Sequence, residues 1–407
     1  MDVLDLEQFS STNKLAHTED SERTAPSGPR QAGRISGGIR SMGTDVVQRI
    51  CSDQVIVDLQ SALKELLENA LDAGTRRLDV RLKEYGVELL EVADNGSGID
   101  AANLEGVALR HHTSKLKEFD DLQKLRSFGF RGEALNSLAA LSTLGVSTRT
   151  AKDKAGTQLT FGKDGAIASR TPLARDVGTC VSVGQLFAPF PVRRRELQRN
   201  ATTEFRKLLI SLQAYALICD GVRFSCVNTL AKGGKQTVLQ TEGGSGGMRA
   251  AIASVFGAKQ LQELTPLSAK SDGIEISGFI SRPRAGDGRR SGDRQYVYVN
   301  RRPVDFPKFS RTLNEVRRRS GFDPERRGGA SAKSHPASLW RFVPVRQAFR
   351  AATAKAECFP VVFINLQVPP CTCTCTSTCT CADSHSPTAT TRTCRCPHIV
   401  EHCRMRV

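Results

Sequence analysis

The sequence predicts an α/β or α+β sandwich, because segments with helical and with strand-like patterns are mixed within one ordered stretch. That stretch runs from about Val46 to beyond Val299. Two of its segments carry apolar residues at helical spacing, and four resemble the alternating pattern of half-buried strands. A chain of 407 residues has room for about two domains and additional tails.

The first helix is predicted by an apolar stripe, and Gly74 is expected to end it. The stripe consists of Leu59, Ala62, Leu63, Leu66, Leu67, Ala70 and Leu71. Two strands, LDVRL and VELLEV, are then predicted to pair around Tyr85 and Gly86. Further strands are predicted in GTQLTFGKDG and GTCVSVGQLF. A second helix is predicted in GEALNSLAALS from the stripe Ala134, Leu135, Leu138 and Leu141.

The net charge of +16 suggests a polyanionic partner such as nucleic acid, but the charge is unevenly distributed. Residues 311–355 contain eleven Lys or Arg and three Asp or Glu, which supply half of the excess. An unstructured basic insert therefore explains the charge as well as a DNA-binding surface does. The start of the chain is acidic and polar and the apolar runs are short, so neither secretion nor a membrane partner is expected.

Three segments lack a pattern that predicts folding. We interpret residues 1–40 as a disordered arm, 316–357 as an unstructured basic insert, and 369–407 as a low-complexity tail rich in Cys and Thr. Eight of the 13 cysteines lie in that tail, where soft-metal binding is the minor alternative because the spacing differs from that of structural zinc sites. The others fit buried thiols of a reducing compartment: Cys51, Cys180, Cys219, Cys226 and Cys358.

Two polar segments adjoin the predicted first helix and the strand pair. In ELLENALDAGT, Glu65 and Asn69 are four residues apart and share a helix face, with Asp72 three residues further on. A solvated helix face is the alternative for that segment. In ADNGSGI, Asp94 follows the strand VELLEV and precedes two glycines, which can hold a carboxylate rigidly beside a ligand. A plain hairpin turn is the alternative there.

Two further segments have the residue types of a phosphate site. HHTSK supplies Thr113, Ser114 and Lys115, and SFGFRGEAL is a Gly-rich turn that opens a helix. Backbone amides at a helix N-terminus attract phosphate, and Arg131 can add positive charge there. Each Gly-rich turn is a weak signal by itself.

The four segments in this order resemble the nucleotide-binding motifs of the GHKL ATPases, which include type II topoisomerases, heat-shock chaperones, sensor kinases and MutL. The LDAG ending, HHTSK and GFRGEAL point to MutL, as do GTCVSVGQLFAPFPVRRRELQRN and DRQYVYVNRRPVD. More narrowly, SVFGAKQLQEL and KEYGVELLEVADNGSGI resemble the eukaryotic PMS-type mismatch-repair subunit. The resemblance covers about residues 42–315 and 359–366.

This resemblance implies a GHKL-type (Bergerat) ATPase sandwich over residues 41–230, with helices over one face of a mixed sheet and ATP between. A smaller, incomplete α/β transducer domain is implied over 231–368. The implied function is ATP hydrolysis coupled to DNA mismatch repair in the nucleus, with ATP-driven lid closure and N-terminal dimerisation. The implied partners are an MLH-type MutL subunit in a heterodimer, a MutS-type mismatch-recognition complex and DNA, bound independently of sequence.

The resemblance also assigns roles to single residues. Glu65 matches the general base that activates water, and Asn69 matches the Mg²⁺ ligand, a role that suits a hard amide oxygen. Asp94 matches the residue that accepts a hydrogen bond from the adenine amino group, which guanine cannot donate at that place. Gly98 matches a glycine that lets the base pack against the backbone. Thr179 matches a supporting residue on a neighbouring strand.

The phosphate-binding and DNA-binding residues follow in the same way. Thr113, Ser114 and Lys115 match the flexible lid over the phosphates. The helix start that cradles the phosphates matches Gly132, Glu133, Ala134 and Leu135, and Arg131 is expected to add positive charge to the ATP site. Sequence-independent DNA binding is expected from arginines in matched segments, with an ordinary solvated surface as the alternative: Arg193, Arg194, Arg195, Arg199, Arg301 and Arg302.

The chain departs from the family near its end. The family's second domain contributes a lysine that reaches the γ-phosphate, after a strand that resembles FPVVFINLQV. Here PPCTCTCTSTCTC follows that strand, and the lysine is missing. We therefore expect impaired ATP hydrolysis. Because Phe359 to Leu366 lack the chain that normally follows, we also expect an exposed edge of the second sheet. No nuclease motif of the family is recognised, so no nuclease domain is expected. The alternative is a catalytically impaired DNA- and partner-binding fragment or splice form.

Overall fold

The computed structural model describes residues 41–115, 127–129, 131–271, 274–282, 289, 291–307, 309–311 and 360–368. The predicted arm at 1–40, the basic insert at 316–357 and the tail at 369–407 lie outside the described residues, and so does Cys358. These expectations therefore remain predictions.

The described part contains helices and strands in mixed order. The helices are α1 (Thr44–Val55), α2 (Leu59–Asp72), α3 (Ala134–Leu141), α4 (Pro191–Arg199), α5 (Ala201–Ile218), α6 (Gly247–Phe256) and α7 (Ala258–Gln262). The strands are β1 (Arg77–Lys83), β2 (Leu89–Asp94), β3 (Thr143–Arg149), β4 (Gly156–Phe161), β5 (Ile167–Leu173), β6 (Gly178–Gly184), β7 (Arg223–Thr229), β8 (Lys235–Gln240), β9 (Leu264–Ser271), β10 (Ile274–Ser281), β11 (Gln295–Val299), β12 (Arg302–Val304) and β13 (Val362–Gln367).

The first sheet has eight strands in the order β5-β4-β3-β6-β2-β1-β7-β8. It is mixed, because β1 pairs parallel with β7 and antiparallel with β2. Alternate residues of β1 are buried, so one face of the sheet packs against helices. The core of this layer combines residues of β1 and β2 with residues of α2, α3 and α5. The predicted α/β sandwich with helices over a mixed sheet is confirmed.

Helix α2 has the predicted apolar stripe. Its residues from Leu59 to Ala70 at the stripe positions are buried, and Leu71 is partly buried against the same core. The helix begins with a capping box, in which the Asp58 carboxylate accepts from the Ser61 amide and the Ser61 hydroxyl accepts from the Asp58 amide. It ends at Asp72, and Gly74 then takes a φ of 74° that L side chains rarely adopt.

The strand pair and the second helix also follow the sequence pattern. β1 and β2 pair antiparallel through a short 3₁₀ helix, Glu84–Gly86, in which Tyr85 has a φ of 59°. The register places Asp94 opposite Leu78, at the last position of β2. The helix predicted in GEALNSLAALS is α3, whose Leu138 and Leu141 are buried. The strands predicted in GTQLTFGKDG and GTCVSVGQLF are β4 and β6.

The first sheet extends beyond the boundary that the sequence predicts at residue 230. β7 and β8 form an antiparallel hairpin, and the boundary falls in its turn near Gly233. Five of the six residues of β8 are exposed or half-buried. An edge strand that buries little apolar surface has a weak sequence pattern, which explains why the boundary is misplaced by about one strand.

The second sheet has five strands in the order β12-β11-β13-β10-β9. β13, which contains most of FPVVFINLQV, lies between β11 and β10 and pairs with both. Its residues Val362, Phe363 and Ile364 are fully buried. This apolar strand is therefore central in the sheet, and among the described strands the edges are β12 and β9. The expected exposure of a sheet edge by the missing continuation remains a prediction.

Helix α5 joins the two sheets. Ala214, Leu217 and Ile218 on α5 share a buried cluster with aromatic residues of the second sheet. Among these, Tyr298 is fully buried and its hydroxyl donates to the carbonyl oxygen of Ala214 at 2.9 Å. The Tyr296 hydroxyl donates to Gln213 Oε1 at 2.8 Å. The buried apolar contact and the satisfied hydroxyls fix the second sheet against this helix.

The cysteines of the described part are free thiols. Cys226 is buried, and Cys51, Cys180 and Cys219 are half-buried. Burial raises the pKa of the Cys226 thiol to about 12, which keeps it protonated at neutral pH. Among the described residues there is no group of three or more His, Cys, Asp or Glu that could hold a metal ion. No helix in that part of the chain is long and apolar enough to span a membrane.

Candidate functional site

The polar face of α2 carries Glu65, which is half-buried. Burial is the main cause that raises the pKa of its carboxyl, and the nearby carboxylate of Glu68 adds to the rise. The positive charges of Lys64, Lys115 and Arg131 oppose it. A carboxyl with a raised pKa is a stronger base at neutral pH than an exposed one, as a group that takes a proton from water requires.

One turn further along α2, Asn69 faces the segment HHTSK. The Lys115 ammonium donates to Asn69 Oδ1 at 3.1 Å and to Asp72 Oδ2 at 2.6 Å. The sequence places Glu65, Asn69 and Asp72 on one helix face, and the structure adds Lys115 to them. The amide oxygen of Asn69 therefore already accepts from a cation.

Asp72 has a central position that the sequence prediction left without a role. Its side chain is only 7% exposed, and besides Lys115 it accepts from two backbone amides. Phe128 donates to Oδ1 at 2.8 Å, and Gly129 donates to Oδ2 at 3.1 Å. The available signal was its spacing of three residues from Asn69, which puts both on one face. Its partners, more than 40 positions away in the chain, gave no local signal.

Asp94 lies at the end of β2 and is held by backbone amides. Its Oδ1 accepts from Gly96 at 2.8 Å and from Thr179 at 3.2 Å. Burial is the largest influence and raises the pKa of this carboxyl, while the two amides act in the opposite direction. In the part of the chain that the structure describes, no hydrogen bond engages Oδ2. That oxygen can accept a donor from a ligand.

The ADNGSGI turn packs directly on the end of α2. The Ser97 amide donates to the carbonyl oxygen of Ala73 at 3.1 Å. A Cβ on Gly96 would lie 2.8 Å from the Cβ of Ala73, so only glycine permits this approach. Asn95, which the sequence prediction passed over, accepts from Thr75, Arg76 and Arg77 and fixes the start of β1. Two of the four sequence segments are therefore in direct contact.

Gly98 is required by contact with the protein's own backbone. It has a φ of 76°, and a Cβ at this position would lie 2.2 Å from the carbonyl oxygen of Arg149. A larger residue would be strained and would displace β3. The predicted packing of a nucleotide base on Gly98 remains a prediction, since the structure supplies a separate reason for glycine here.

Thr179 acts on Asp94 through its backbone amide. Its hydroxyl lies 3.2 Å from that of Thr148, and both threonines are buried. The Thr148 hydroxyl also accepts from the Ile99 amide at 2.9 Å, which anchors the turn after Asp94. Thr148 was not predicted, because a threonine in a strand has no pattern that separates support from ordinary packing.

The segment GFRGEAL opens α3, as predicted. Gly132 has a φ of 62°, and a Cβ there would lie 2.3 Å from the carbonyl oxygen of His112, which brings HHTSK against this turn. Glu133 is the N-cap residue, with its Oε1 3.4 Å from Nδ1 of His111. Ala134 and Leu135 lie in the first turn of α3. Backbone amides in the first turn of a helix attract an anion. Arg131 is exposed.

In the segment HHTSK, the Thr113 hydroxyl accepts from the Lys115 amide at 3.2 Å, while Ser114 is exposed. The lysine ammonium is thereby presented to α2 rather than to solvent. The structure thus brings HHTSK beside both α2 and GFRGEAL.

Arg193 and Arg194 both make contacts within the protein. Arg193 pairs with Asp53, donates to the carbonyl oxygen of Val57 and lies 3.9 Å over the ring of Phe187. Arg194 pairs with Glu88 at 3.1 Å. These contacts tie α4 to the end of α1 and to the residues just before β2. The expected DNA binding by Arg193 and Arg194 remains a prediction.

Arg301 and Arg302 are also engaged. Arg301 pairs with Asp220 at 2.7 Å and donates to the carbonyl oxygen of Ile218. Arg302 donates to the carbonyl oxygen of Ser127 at 2.7 Å. Of the six predicted DNA-binding arginines, Arg195, Arg199 and Arg301 are exposed, and Arg301 is the one of these three that forms an ion pair among the described residues.

Two family models match the sequence in separate regions. Residues 57–172 match the model described as histidine kinase-, DNA gyrase B-, and HSP90-like ATPase. Residues 252–322 match the model described as DNA mismatch repair protein, C-terminal domain. The first match contains the predicted site residues from Glu65 to Leu135, and the second contains Arg301 and Arg302.

Several known proteins are similar over most of the described chain. DNA mismatch repair protein PMS1 of Arabidopsis thaliana is 47% identical over 279 residues, covering 68% of this chain and 30% of the relative. Mismatch repair endonuclease PMS2 of Homo sapiens is 47% identical over 296 residues, covering 68% of this chain and 34% of the relative. A crystal structure of the N-terminal domain of a DNA repair protein is 35% identical, with a TM-score of 0.63 and coverage of 79% of this chain and 87% of that one. The chain spans about a third of the length of the curated relatives it matches.

Proposed function

Since this chain belongs to the MutL family of DNA mismatch repair proteins, of the PMS type, we propose that it binds ATP with Mg²⁺ and hydrolyses ATP at the α2 site. The observation that carries the proposal is the polar face of α2. There a half-buried Glu65 with a raised pKa stands one turn from Asn69, whose amide oxygen accepts from a cation. A base and a cation-accepting oxygen on one rigid helix suit phosphoryl transfer to water.

Glu65 is proposed to take a proton from the attacking water. Its partly desolvated carboxylate favours the protonated form, so proton uptake near neutral pH is easier than for an exposed glutamate. Mg²⁺ would neutralise phosphate charge when bound. Asn69 Oδ1 fits that ion, since it is a hard, neutral oxygen that accepts from the Lys115 ammonium at 3.1 Å. Lys115 and Mg²⁺ are expected to compete for this oxygen.

Adenine selection is proposed to rest on Asp94. Two backbone amides fix Oδ1, so Oδ2 keeps a defined direction toward a donor. A carboxylate accepts a hydrogen bond from the adenine amino group and finds no donor at the carbonyl of guanine. The phosphates are proposed to bind at the start of α3, near Gly132 to Leu135, with Thr113, Ser114, Lys115 and Arg131 nearby.

The cellular role is proposed from the family. It comprises DNA mismatch repair in the nucleus as a heterodimer with an MLH-type partner, together with a MutS-type complex and DNA. Arg195 and Arg199 support weak, sequence-independent DNA binding, because both are exposed on one helix. Slow hydrolysis is supported by the replacement of the family's lysine segment after β13 by PPCTCTCTSTCTC. The same replacement favours a second candidate, a DNA- and partner-binding form that binds ATP without hydrolysing it.

Equilibrium binding of ATP with and without Mg²⁺ tests the proposed site. The parent protein is expected to bind ATP more tightly when Mg²⁺ is present. Asn69→Ala should lose that increment and keep the metal-free affinity. The matched control is Asn200→Ala, which alters an exposed asparagine whose side chain does not cap α5. An Mg²⁺ increment that survives in Asn69→Ala would reject this residue as the ligand.

A further inference from the structure

Residues 127–129 are held between helix α2 and the second sheet. On one side, the carboxylate of Asp72 accepts from the amides of Phe128 and Gly129. Each oxygen of Asp72 takes one of these amides, and Oδ2 also takes the Lys115 ammonium. The position of this segment therefore decides how the carboxylate that holds Lys115 is oriented.

On the other side, Arg302 reaches the same segment from β12 in the second sheet. Its Nη2 donates to the carbonyl oxygen of Ser127 at 2.7 Å, and its guanidinium carbon lies 4.9 Å from the centre of the Phe128 ring. The first contact fixes the peptide and the second fixes the ring. Arg302 is half-buried, which strengthens both contacts relative to an exposed arginine.

Phe128 has a further support on α5. Its ring meets the ring of Tyr215 edge to face, with centroids 6.1 Å apart. The Tyr215 hydroxyl donates to Oε1 of Glu68 at 2.5 Å. Glu68 lies one turn from Glu65 on α2. The aromatic ring thus rests between α5 and the guanidinium of the second sheet, and it cannot shift without breaking one of these contacts.

We infer that Arg302 is a positioning residue that couples the second sheet to the α2 site. It holds residues 127–129 in place, their amides orient Asp72, and Asp72 sets Lys115 beside Asn69. A displacement of β12 releases the amides of Phe128 and Gly129 and changes the setting of Lys115. The effect of this coupling on ATP turnover rests on the proposed function, whereas the coupling between Arg302 and Asp72 does not.

The chemistry of this contact requires arginine. A guanidinium donates to the Ser127 carbonyl while its flat face stays over the Phe128 ring, whereas the point charge of lysine cannot hold both geometries at once. Arg302→Lys therefore keeps the charge and removes the coupling. Arg302→Ala removes both.

The neighbouring Arg301 is a matched control. It also joins the second sheet to α5, through Asp220 and the carbonyl oxygen of Ile218, but it makes no described contact with residues 127–129. Arg301→Ala loosens the attachment of the second sheet without touching the segment. It separates a specific effect of Arg302 from general loosening.

Hydrogen exchange, measured without added nucleotide, tests the coupling directly. Overlapping peptides that resolve Phe128 and Gly129 are compared in the parent, Arg302→Lys, Arg302→Ala and Arg301→Ala. Both Arg302 variants are expected to exchange these amides about tenfold faster, as for the loss of one hydrogen bond to a charged group. In Arg301→Ala, the exchange rates of these amides should stay within about twofold of the parent, because losing a surface ion pair changes stability only slightly. Unchanged exchange in Arg302→Lys, or equal acceleration in Arg301→Ala, overturns the inference.

Turnover then separates the inference from the proposed function. We expect Arg302→Lys to lower kcat for ATP while its Kd for ADP stays within about twofold of the parent, because the contact orients a group and does not bind the nucleotide. Faster exchange together with an unaltered kcat would overturn the link to the site. Faster exchange in a protein whose parent form hydrolyses no ATP would refute the proposed function and leave the coupling standing.

Discussion

Replacing Asp94 by Asn changes one atom that a nucleotide is proposed to meet. In the parent, Oδ1 accepts from the amides of Gly96 and Thr179. In Asp94→Asn, the side-chain oxygen is expected to keep both amides, because reversing the group would set its NH₂ against two donors. The NH₂ then stands where Oδ2 was. It faces the amino group of adenine, so a donor meets a donor.

The expected loss follows from the contact that disappears. One hydrogen bond to a charged acceptor contributes about 1.5–3 kcal/mol. Its removal raises the Kd for ATP by roughly 10- to 150-fold. The fold should be retained, because the substitution conserves the shape of the side chain. The carboxyl that it removes has a pKa raised mainly by burial, so its charge is not what stabilises the fold. A loss of affinity can then be assigned to the base contact.

Calorimetry with a non-hydrolysable ATP analogue measures this change. The matched control is Asp100→Asn, an exposed aspartate six residues along the same turn whose side chain caps no helix. The control should bind as the parent does. The ratio of ATP to GTP affinity should fall in Asp94→Asn, because its NH₂ can donate to the guanine carbonyl. Equal ATP affinity in Asp94→Asn and the parent would refute the assignment.

The other predictions concern stability, DNA and rate. In denaturant titration, Gly98→Ala should destabilise the protein by more than about 1–3 kcal/mol, because the added Cβ clashes with the Arg149 carbonyl and the positive φ is also strained. The control Gly233→Ala has a φ of 81° and open space around it, so it should lose only the free energy of the backbone strain. Glu65→Gln should raise the melting temperature at pH 7. The Glu65 carboxyl binds its proton more tightly in the folded parent than in the unfolded chain, so the parent loses stability as the pH rises from the ordinary pKa of 4.5 through the raised pKa. Below pH 4.5 the difference in melting temperature between Glu65→Gln and the parent should therefore vanish. The double variant Arg195→Glu, Arg199→Glu should reduce the salt dependence of DNA binding by about two counterions. Deletion of residues 316–357 should leave much of the DNA binding. If the deletion removes all binding, the DNA-binding surface is the insert. Replacing 369–407 by the family's lysine-bearing ending should speed single-turnover hydrolysis by about 10²–10³-fold, and an unchanged rate would show that the lysine is dispensable here.

Local patterns predicted the parts of the fold that depend on neighbours in sequence. The stripe from Leu59 to Leu71 predicted α2, and the spacing of Glu65 and Asn69 placed both on its polar face, because helical geometry repeats over a few residues. The turn between β1 and β2 was predicted for the same reason. β8 was assigned to the wrong domain, since an edge strand with little buried surface has a weak pattern.

Contacts between distant residues escaped the sequence. An arginine looks the same in a sequence whether it faces DNA or a carboxylate from another helix, so Arg193 could not be matched with Asp53. The position of Arg302 over Phe128 joins residues 174 positions apart and leaves no periodic trace. Thr179 was identified through a resemblance, but its contact with Asp94 uses a backbone amide that every residue except proline carries.

Single-turnover ATP hydrolysis by Glu65→Gln tests the central claim most directly. The parent should convert bound ATP to ADP slowly but measurably. Glu65→Gln should bind ATP equally well and hydrolyse it at least about 100-fold more slowly, the usual effect of removing a general base. Glu68→Gln, one turn away on the same helix, should keep most of the parent rate, because Glu68 accepts from Tyr215 and is not assigned to the water. A Glu65→Gln rate equal to that of the parent, or a parent that binds ATP and never hydrolyses it, would contradict the claim that this chain is an ATP hydrolase acting through Glu65.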